Sequence, residues 1–236
     1  MTWSIVARDP ATGAFGVAVT TKFFAVGAVC PAARGSAGAL ATQALVNPTY
    51  RARGLALLEA GESAAAALAA LVAADPGRRA RQAHLIDRAG RPAAHTGDEC
   101  VPWCGHLVDD GFSVAGNMLA GPAVIADTAA AYRAAAAAPF AERLIAALDA
   151  GQAAGGDKRG KQSAALIVHA GADHAELDLR VDDHPEPLAE LRRLYLVSLE
   201  HWALFRRFLP TRDNPGGIWD RAEIERALAE LPPRDD

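Results

Sequence analysis

Thr2-Trp3-Ser4-Ile5-Val6-Ala7 and Ala14-Phe15-Gly16-Val17-Ala18-Val19-Thr20 are two apolar stretches, and Asp9-Pro10-Ala11-Thr12-Gly13 lies between them. β-Branched and aromatic residues favour strands, whereas Asp, Pro and Gly favour tight turns, so this segment predicts a β-hairpin. The first strand begins at the second residue, although the first residues of a domain are normally frayed. The sequence therefore places Thr2 inside a core strand and beside the amino terminus.

Thr2 has a possible chemical role because its small side chain would allow an aminopeptidase to remove Met1. A free α-amine has a pKa of about 7.7–8.0, so about a tenth or more is unprotonated at neutral pH. Such an amine can accept the hydroxyl proton of its own residue, which activates an amino-terminal Thr as a nucleophile. The alternative is that Thr2 only opens a strand, and the residues alone favour this structural role.

The length of 236 residues suits one large domain, or one domain with a helical appendage. Lys and Arg number 24 and Asp and Glu 28, so the net charge is 24 − 28 = −4. This balance gives no indication of a nucleic-acid or membrane partner. The chain shows no signal peptide and no apolar span, and three cysteines are too few for a disulfide framework. We therefore expect a cytoplasmic protein.

The order of predicted elements is strands, two helices, strands, two helices, strands and a helix. Hairpins dominate, so the sheets should be largely antiparallel and the class α+β. Two sheets packed face to face, with helices outside, would bury all the apolar faces. Two boundaries are specific: one helix over residues 140–150 should stop at Gly151, and another should run from Pro187 to about Phe208.

The polar loop of residues 155–163 nearly matches the phosphate-binding pattern G-x-x-x-x-G-K. A phosphate loop needs a strand before it and a helix after it, and here the order is reversed, so we exclude nucleotide hydrolysis. The loop carries Asp157, Arg159 and Ser163 and two of the three lysines of the chain. Most charged loops are solvated turns. The alternative is that the loop lines a site, because lysine is rare in this chain and two of the three lysines lie here.

Other polar residues have two interpretations each. Asn117 ends a strand, where its amide could hold a developing oxyanion or simply begin a turn. Gln43 and Gln82 lie in small-residue strands and could be hydrogen-bonded core residues. A possible zinc site lies within twelve residues, but its spacing fits no standard site and structural roles are favoured. Its members are His95, Cys100, Cys104 and His106.

Seven motifs occur in order along the chain: Thr2-Trp3-Ser4-Ile5-Val6-Ala7, Gly16-Val17-Ala18-Val19, Ala41-Thr42-Gln43-Ala44, Arg81-Gln82, Gly116-Asn117-Met118-Leu119-Ala120-Gly121, Gly155-Gly156-Asp157-Lys158-Arg159-Gly160-Lys161-Gln162-Ser163-Ala164 and Asp178-Leu179-Arg180-Val181-Asp182-Asp183-His184. Together they resemble an uncharacterised bacterial family, domain of unknown function 1028, of the N-terminal-nucleophile (Ntn) hydrolase superfamily. The resemblance covers about residues 2–200 and suggests a domain over residues 1–209, with a helical extension over residues 210–236.

The resemblance implies a four-layer αββα sandwich in which Thr2 attacks an amide carbonyl and its own α-amine is the base. Lys22, Asp157 and Ser163 then occupy places that tune the nucleophile. Asn117 or backbone N–H groups would hold the oxyanion, and Gln43, Gln82 and Arg159 would contact the substrate.

The expected function is hydrolysis of a small amide or related acyl compound by a homodimer that needs no metal or organic cofactor. The main alternative is a non-catalytic protein that binds a small ligand or a partner on the same scaffold. A zinc-dependent hydrolase that uses the His95–His106 cluster is a third alternative.

Overall fold

The computed structural model describes residues 2–172 and 174–230, which contain ten strands in two antiparallel sheets. The six-stranded sheet has the order β10-β9-β2-β1-β8-β7, and the four-stranded sheet has the order β3-β4-β5-β6 when the strands are numbered along the chain. The strands are β1 (Thr2–Arg8), β2 (Phe15–Thr21), β3 (Pro31–Arg34), β4 (Gly38–Ala44), β5 (Arg81–Asp87), β6 (Pro92–Thr96), β7 (Gly105–Asp109), β8 (Phe112–Asn117), β9 (Ser163–His169) and β10 (Leu177–Val181).

The helices connect the hairpins, so the chain is a mixed α+β protein as predicted. Across residues 2–172 and 174–230, no helix is both long enough and apolar enough to span a membrane. The helices of this part are α1 (Val26–Val29), α2 (Thr49–Glu59), α3 (Ala64–Ala73), α4 (Ala123–Ala134), α5 (Phe140–Ala153), α6 (Pro187–Val197), α7 (Ala203–Phe205) and α8 (Arg221–Ala229).

Strand β1 lies in the middle of the larger sheet and is buried on both faces. Successive side chains of a strand point to opposite faces. Trp3 and Ile5 therefore pack in the core beneath the helices, whereas Val6 packs in the core between the sheets. The same alternation directs Thr2 and Ser4 toward the other sheet. Burial of a large apolar side chain contributes roughly 1.5–3 kcal/mol, which fixes this register.

Three hydrophobic cores hold the sheets and helices together. Helices α4, α5 and α6 cover the six-stranded sheet through residues such as Leu144 and Leu191. Helices α2 and α3 cover the four-stranded sheet through residues such as Tyr50 and Leu71. A third core, which includes Ile86, lies between the two sheets. Each sheet thus has helices on one face and the other sheet on the opposite face.

Helix α5 does not stop at Gly151, so the predicted end at residue 150 is wrong. The helix continues to Ala153. A Cβ atom at Gly151 would lie 2.3 Å from Thr128 Oγ1 and 2.7 Å from Trp3 Nε1. Glycine is therefore needed for close packing of α5 against α4 and β1, and not for helix termination.

The predicted helix over residues 187–208 is interrupted. Helix α6 ends at Val197, and a π-helical turn over Ser198–Trp202 follows, with a non-helical ψ of −113° at Glu200. The Ser198 hydroxyl donates to the Tyr195 carbonyl at 2.6 Å, a back-bond that bends helices. Farther along, Asp220 caps α8 by accepting from Ala222 N, within the predicted helical extension.

We expect Gly151→Ala to lower the free energy of unfolding by about 1–3 kcal/mol, because overpacking outweighs the better helix propensity of Ala. Gly121→Ala is the matched control, since a Cβ atom at Gly121 would meet no atom within 4 Å. Urea unfolding followed by circular dichroism measures both changes. Equal stability of the two variants would contradict the packing role of Gly151.

Candidate active site

Four polar residues stand side by side across one end of the six-stranded sheet. Strand pairing places Thr2 opposite Asn117 on one side and opposite Thr21 on the other, and Thr21 is opposite Ser163. The Thr2 hydroxyl donates to Thr21 Oγ1 at 3.1 Å. Sequence reasoning missed Thr21, although the register of the opening hairpin would have paired it with Thr2. The sheet thus gathers three predicted site residues in one row.

Thr2 borders a pocket of about 240 Å³ between the ends of the two sheets. Thr2 is nearly buried, with 8% of the residue exposed, yet the residue forms part of the pocket wall. The other polar residues of the wall are Cys30, Thr42, Gln43 and Arg159. Thr2 is thus a largely buried residue that borders a small pocket.

Strained backbone is concentrated around this pocket. Of the described residues, the non-glycine ones with a positive φ are Ala25 (52°), Ala44 (68°) and Met118 (54°). Ala44 and Met118 line the pocket, and Ala25 directly precedes the lining residue Val26. A left-handed conformation costs roughly 1–2 kcal/mol for such residues and tends to persist at functional sites. This clustering makes the pocket the candidate functional site.

Gln43 connects the two sheets beside Thr2. Its Nε2 atom donates to Gln82 Oε1 at 2.8 Å, to the Ala115 carbonyl at 3.1 Å and to the Thr2 carbonyl at 3.4 Å. Its Oε1 atom accepts from the Ser4 hydroxyl at 2.6 Å. Since three acceptors surround the nitrogen and a donor faces the oxygen, the orientation of the amide is unambiguous. Gln43 both lines the pocket and positions the main chain of Thr2.

Asn117 and Gln82 complete this inter-sheet network. Asn117 Nδ2 donates to the Thr2 carbonyl at 3.4 Å and to Gln82 Oε1 at 3.2 Å, so both of its N–H bonds have protein acceptors. Gln82 Nε2 donates to the Gly105 and Gly116 carbonyls at 3.0 and 2.9 Å. Gln82 is fully buried and is absent from the pocket lining, whereas Gln43 and Arg159 line the pocket.

A buried histidine extends the network away from the pocket. His84 Nε2 lies 2.8 Å from Ser4 Oγ, and His84 Nδ1 lies 2.8 Å from Ser113 Oγ. Because the Ser4 proton goes to Gln43, Ser4 must accept from His84 Nε2–H, and Nδ1 then accepts from Ser113. Burial, together with repulsion from His106, lowers the pKa of His84 to about 3. His84 is therefore neutral at physiological pH.

Asp157 and Ser163 hold the segment that forms one wall of the pocket. Asp157 accepts from the backbone N–H of Lys22 at 2.8 Å, and the Ser163 hydroxyl accepts from Val26 N at 3.2 Å. The Lys22 ammonium donates to the Lys161 carbonyl at 3.2 Å and lies outside the pocket lining. Only the backbone of Lys22, and not its ammonium, contacts Asp157. The role of the Lys22 ammonium in tuning the Thr2 amine stays a prediction.

Cys30 also lines the pocket, but its environment makes it a poor nucleophile. Burial raises the pKa of the Cys30 thiol to about 12, although a backbone hydrogen bond from Thr42 opposes this shift. The thiolate is the reactive form of cysteine, so Cys30 is inert at neutral pH. Among the pocket residues, Thr2 is thus the better candidate nucleophile.

The four residues of the zinc alternative do not converge on a common point. His95 Nε2 is 2.9 Å from the Arg78 carbonyl, and His106 Nδ1 is 2.8 Å from Thr96 Oγ1. The Cys100 thiol donates to the Arg81 carbonyl at 3.3 Å. Throughout the described ranges, no three His, Cys, Asp or Glu side chains are grouped to hold a metal ion. The structural interpretation of these residues is therefore favoured.

The chain belongs to a family of unknown function, DUF1028, whose model matches residues 2–191. A solved relative is the crystal structure of protein SPO2555 from Silicibacter pomeroyi, assigned to the same family, which is 32% identical and has a TM-score of 0.85. The similarity covers 93% of this chain and 99% of the other. No curated protein matches the chain significantly. The predicted family is thus confirmed, whereas its assignment to the Ntn superfamily stays a prediction.

The buried His84 makes the stability of the protein depend on pH. Its folded pKa of about 3 lies below the unfolded value of 6.5, so the unfolded state binds a proton first as the pH falls. We expect this residue to cost about 1.4 kcal/mol per pH unit between roughly pH 6 and pH 4.5. Urea unfolding at several pH values should show a shallower slope for His84→Gln than for the wild type.

His184→Gln is the control for this experiment, because His184 is exposed. Its pH slope should equal that of the wild type. The informative quantity is the change of the free energy of unfolding with pH. The free energy of unfolding at a single pH also reflects the loss of the hydrogen bonds of His84 to Ser4 and Ser113. An unchanged slope in His84→Gln would mean that His84 binds its proton over the same pH range in the folded and the unfolded protein.

Proposed function

We propose that this protein is an Ntn-type amidohydrolase that uses Thr2 to cleave a small amide or a related acyl compound. The position of Thr2 carries the proposal, since this residue is nearly buried and yet borders a pocket. The alternation of helices, two antiparallel sheets and helices supports the αββα sandwich of that superfamily. A central strand that begins with a hydroxyl residue is what a processed amino-terminal nucleophile requires.

The proposed reaction begins when removal of Met1, which lies outside the described residues, frees the α-amine of Thr2. Thr2 Oγ attacks the carbonyl carbon of the substrate, and the α-amine takes the hydroxyl proton. The same proton passes to the leaving nitrogen as the C–N bond breaks, which leaves an ester on Thr2. Water, deprotonated by the α-amine, then attacks the ester carbonyl, and the α-ammonium returns that proton to Thr2 Oγ as the C–O bond breaks and the carboxylic acid leaves.

The surrounding residues support this reaction mainly by positioning. Gln43 and Asn117 both donate to the Thr2 carbonyl, which fixes the main chain on which the nucleophile and the base are carried. Thr21 accepts from the Thr2 hydroxyl in the resting state. We assign the oxyanion to backbone N–H groups, because both N–H bonds of Asn117 already have acceptors.

Two arguments favour an enzyme over the non-catalytic alternative. The pocket wall contains two residues with strained backbone, Ala44 and Met118, and such strain is typical of sites that preorganise a reaction. The polar network around Thr2 is also satisfied without a ligand, so its bonds orient the residue before any ligand binds. Homodimer formation and a cytoplasmic location accompany this proposal as predictions.

Intact-mass analysis and Thr2 variants test the function. We expect the native protein to lack Met1 and to hydrolyse at least one member of a panel of small amides. Thr2→Ala should lower this activity by about a thousandfold or more, whereas Thr2→Ser should retain a measurable part, because it keeps a hydroxyl beside the amine. An acylating probe should add its mass to Thr2 in the wild type.

Thr12→Ala is the control, because Thr12 lies exposed in the opening hairpin turn. It should keep both the activity and the probe labelling. Retention of Met1 in the native protein, or probe labelling that survives Thr2→Ala, would favour the non-catalytic alternative.

A further inference from the structure

The wall of the Thr2 pocket has an uneven chemical character. Most of its side chains are apolar and include Val26, Val29, Val46 and Met118. Arg159 is the one charged side chain among the described lining residues, so the wall there carries a cation and no carboxylate. A pocket of this composition disfavours cationic ligands and accommodates an apolar ligand with a single negative group.

Arg159 is held in place by an acidic neighbour outside the pocket lining. Its Nη2 atom donates to Asp157 Oδ2 at 3.2 Å, and its backbone N–H donates to Asp157 Oδ1 at 2.8 Å. The Asp157 side chain is 1% exposed, whereas the Arg159 side chain is 38% exposed. The carboxylate thus fixes the guanidinium, while the residue Arg159 borders the pocket. A guanidinium has five N–H donors, so one group can hold Asp157 and also meet a ligand carboxylate.

The mouth of the pocket is also apolar. Phe23 lines it with 52% of its surface exposed, and its neighbour Phe24 is 62% exposed. Leu45, between two lining residues, is 64% exposed. Exposed apolar residues that adjoin a pocket commonly mark a ligand-binding rim. The volume of about 240 Å³ falls below the roughly 300–1,000 Å³ of sites for drug-sized ligands, so the ligand is small.

We propose that the substrate class is a small amide that carries one carboxylate and a compact apolar group. Arg159 binds the carboxylate, and the side chains of Val26, Val29, Val46 and Met118 enclose the apolar group. The amide bond of this substrate rests on the function proposed for Thr2, whereas recognition of a small apolar carboxylate does not depend on hydrolysis. Arg159 is thus a specificity-determining residue for an anionic ligand.

Binding to the full-length Thr2→Ala protein tests this recognition without turnover. The probes are 3-phenylpropanoate, its uncharged amide and 3-phenylpropylamine, measured by isothermal titration calorimetry at low salt. We expect the carboxylate to bind at least about tenfold more tightly than the amide, because a charge-assisted bond to Arg159 is formed, and the amine to bind most weakly. Raised salt should reduce this preference.

Variants at two adjacent positions locate the charge that is responsible. Arg159→Met should abolish the preference for the carboxylate over the amide, and Arg159→Lys should restore part of it. Lys158→Met is the matched control: Lys158 Nζ donates to the Pro102 carbonyl at 2.9 Å and is absent from the pocket lining, so the preference should change less than twofold. Thermal unfolding of each variant reports whether loss of the Asp157 partner has unfolded the site.

The outcomes separate this inference from the proposed function. Equal affinity for the carboxylate and the amide in the Thr2→Ala protein that keeps Arg159 would overturn the inference. An equal loss of the carboxylate preference in Lys158→Met and Arg159→Met would overturn it as well. If the carboxylate preference holds but no small amide is hydrolysed by the protein with Thr2 intact, the binding inference stands and the hydrolase proposal fails. If Arg159→Met does not fold, the affinities of the three probes for the protein that keeps Arg159 and for Arg159→Lys still test the carboxylate preference.

Discussion

The amide of Gln43 links the two sheets at the point where the first strand begins. It donates to the Thr2 carbonyl on one sheet and to Gln82 on the other, and it accepts from Ser4. An unsatisfied buried amide costs roughly 1–3 kcal/mol, so each partner depends on the others being in place. The relative position of the sheets, and with it the shape of the pocket, follows from this shared set of bonds.

The two-residue period of β1 explains why a core network and a candidate nucleophile lie on one face. Thr2, Ser4 and Val6 alternate with Trp3 and Ile5, which anchor the opposite face beneath the helices. A shift of one residue would bury the tryptophan between the sheets and turn the hydroxyls toward the helices. The hydrophobic packing of one face therefore decides where the chemistry of the other face occurs.

Much of this arrangement could be predicted from the sequence, and the failures have physical causes. The opening hairpin and the antiparallel α+β class follow from local patterns, and the family follows from the resemblance of its motifs. The role of Gly151 was mistaken because a helix stop and a close contact with Trp3 need the same residue type. Ser4, Thr21 and His84 escaped notice because their importance depends on pairings between strands and sheets that are distant in sequence. The proposed role of Lys22 stays a prediction: its backbone N–H donates to Asp157, whereas its ammonium donates to the Lys161 carbonyl.

The left-handed backbone at Ala44 and Met118 lowers the stability of the fold while it maintains the shape of the cavity. Glycine at either position would relieve the local cost, so selection for heat resistance alone would favour it. The same exchange would remove a methyl or a thioether from the wall and allow the loop to sample other shapes. Selection for thermostability alone would therefore accept these glycines at the expense of a well-defined ligand cavity, whereas selection that also requires ligand binding would keep the bulkier residues.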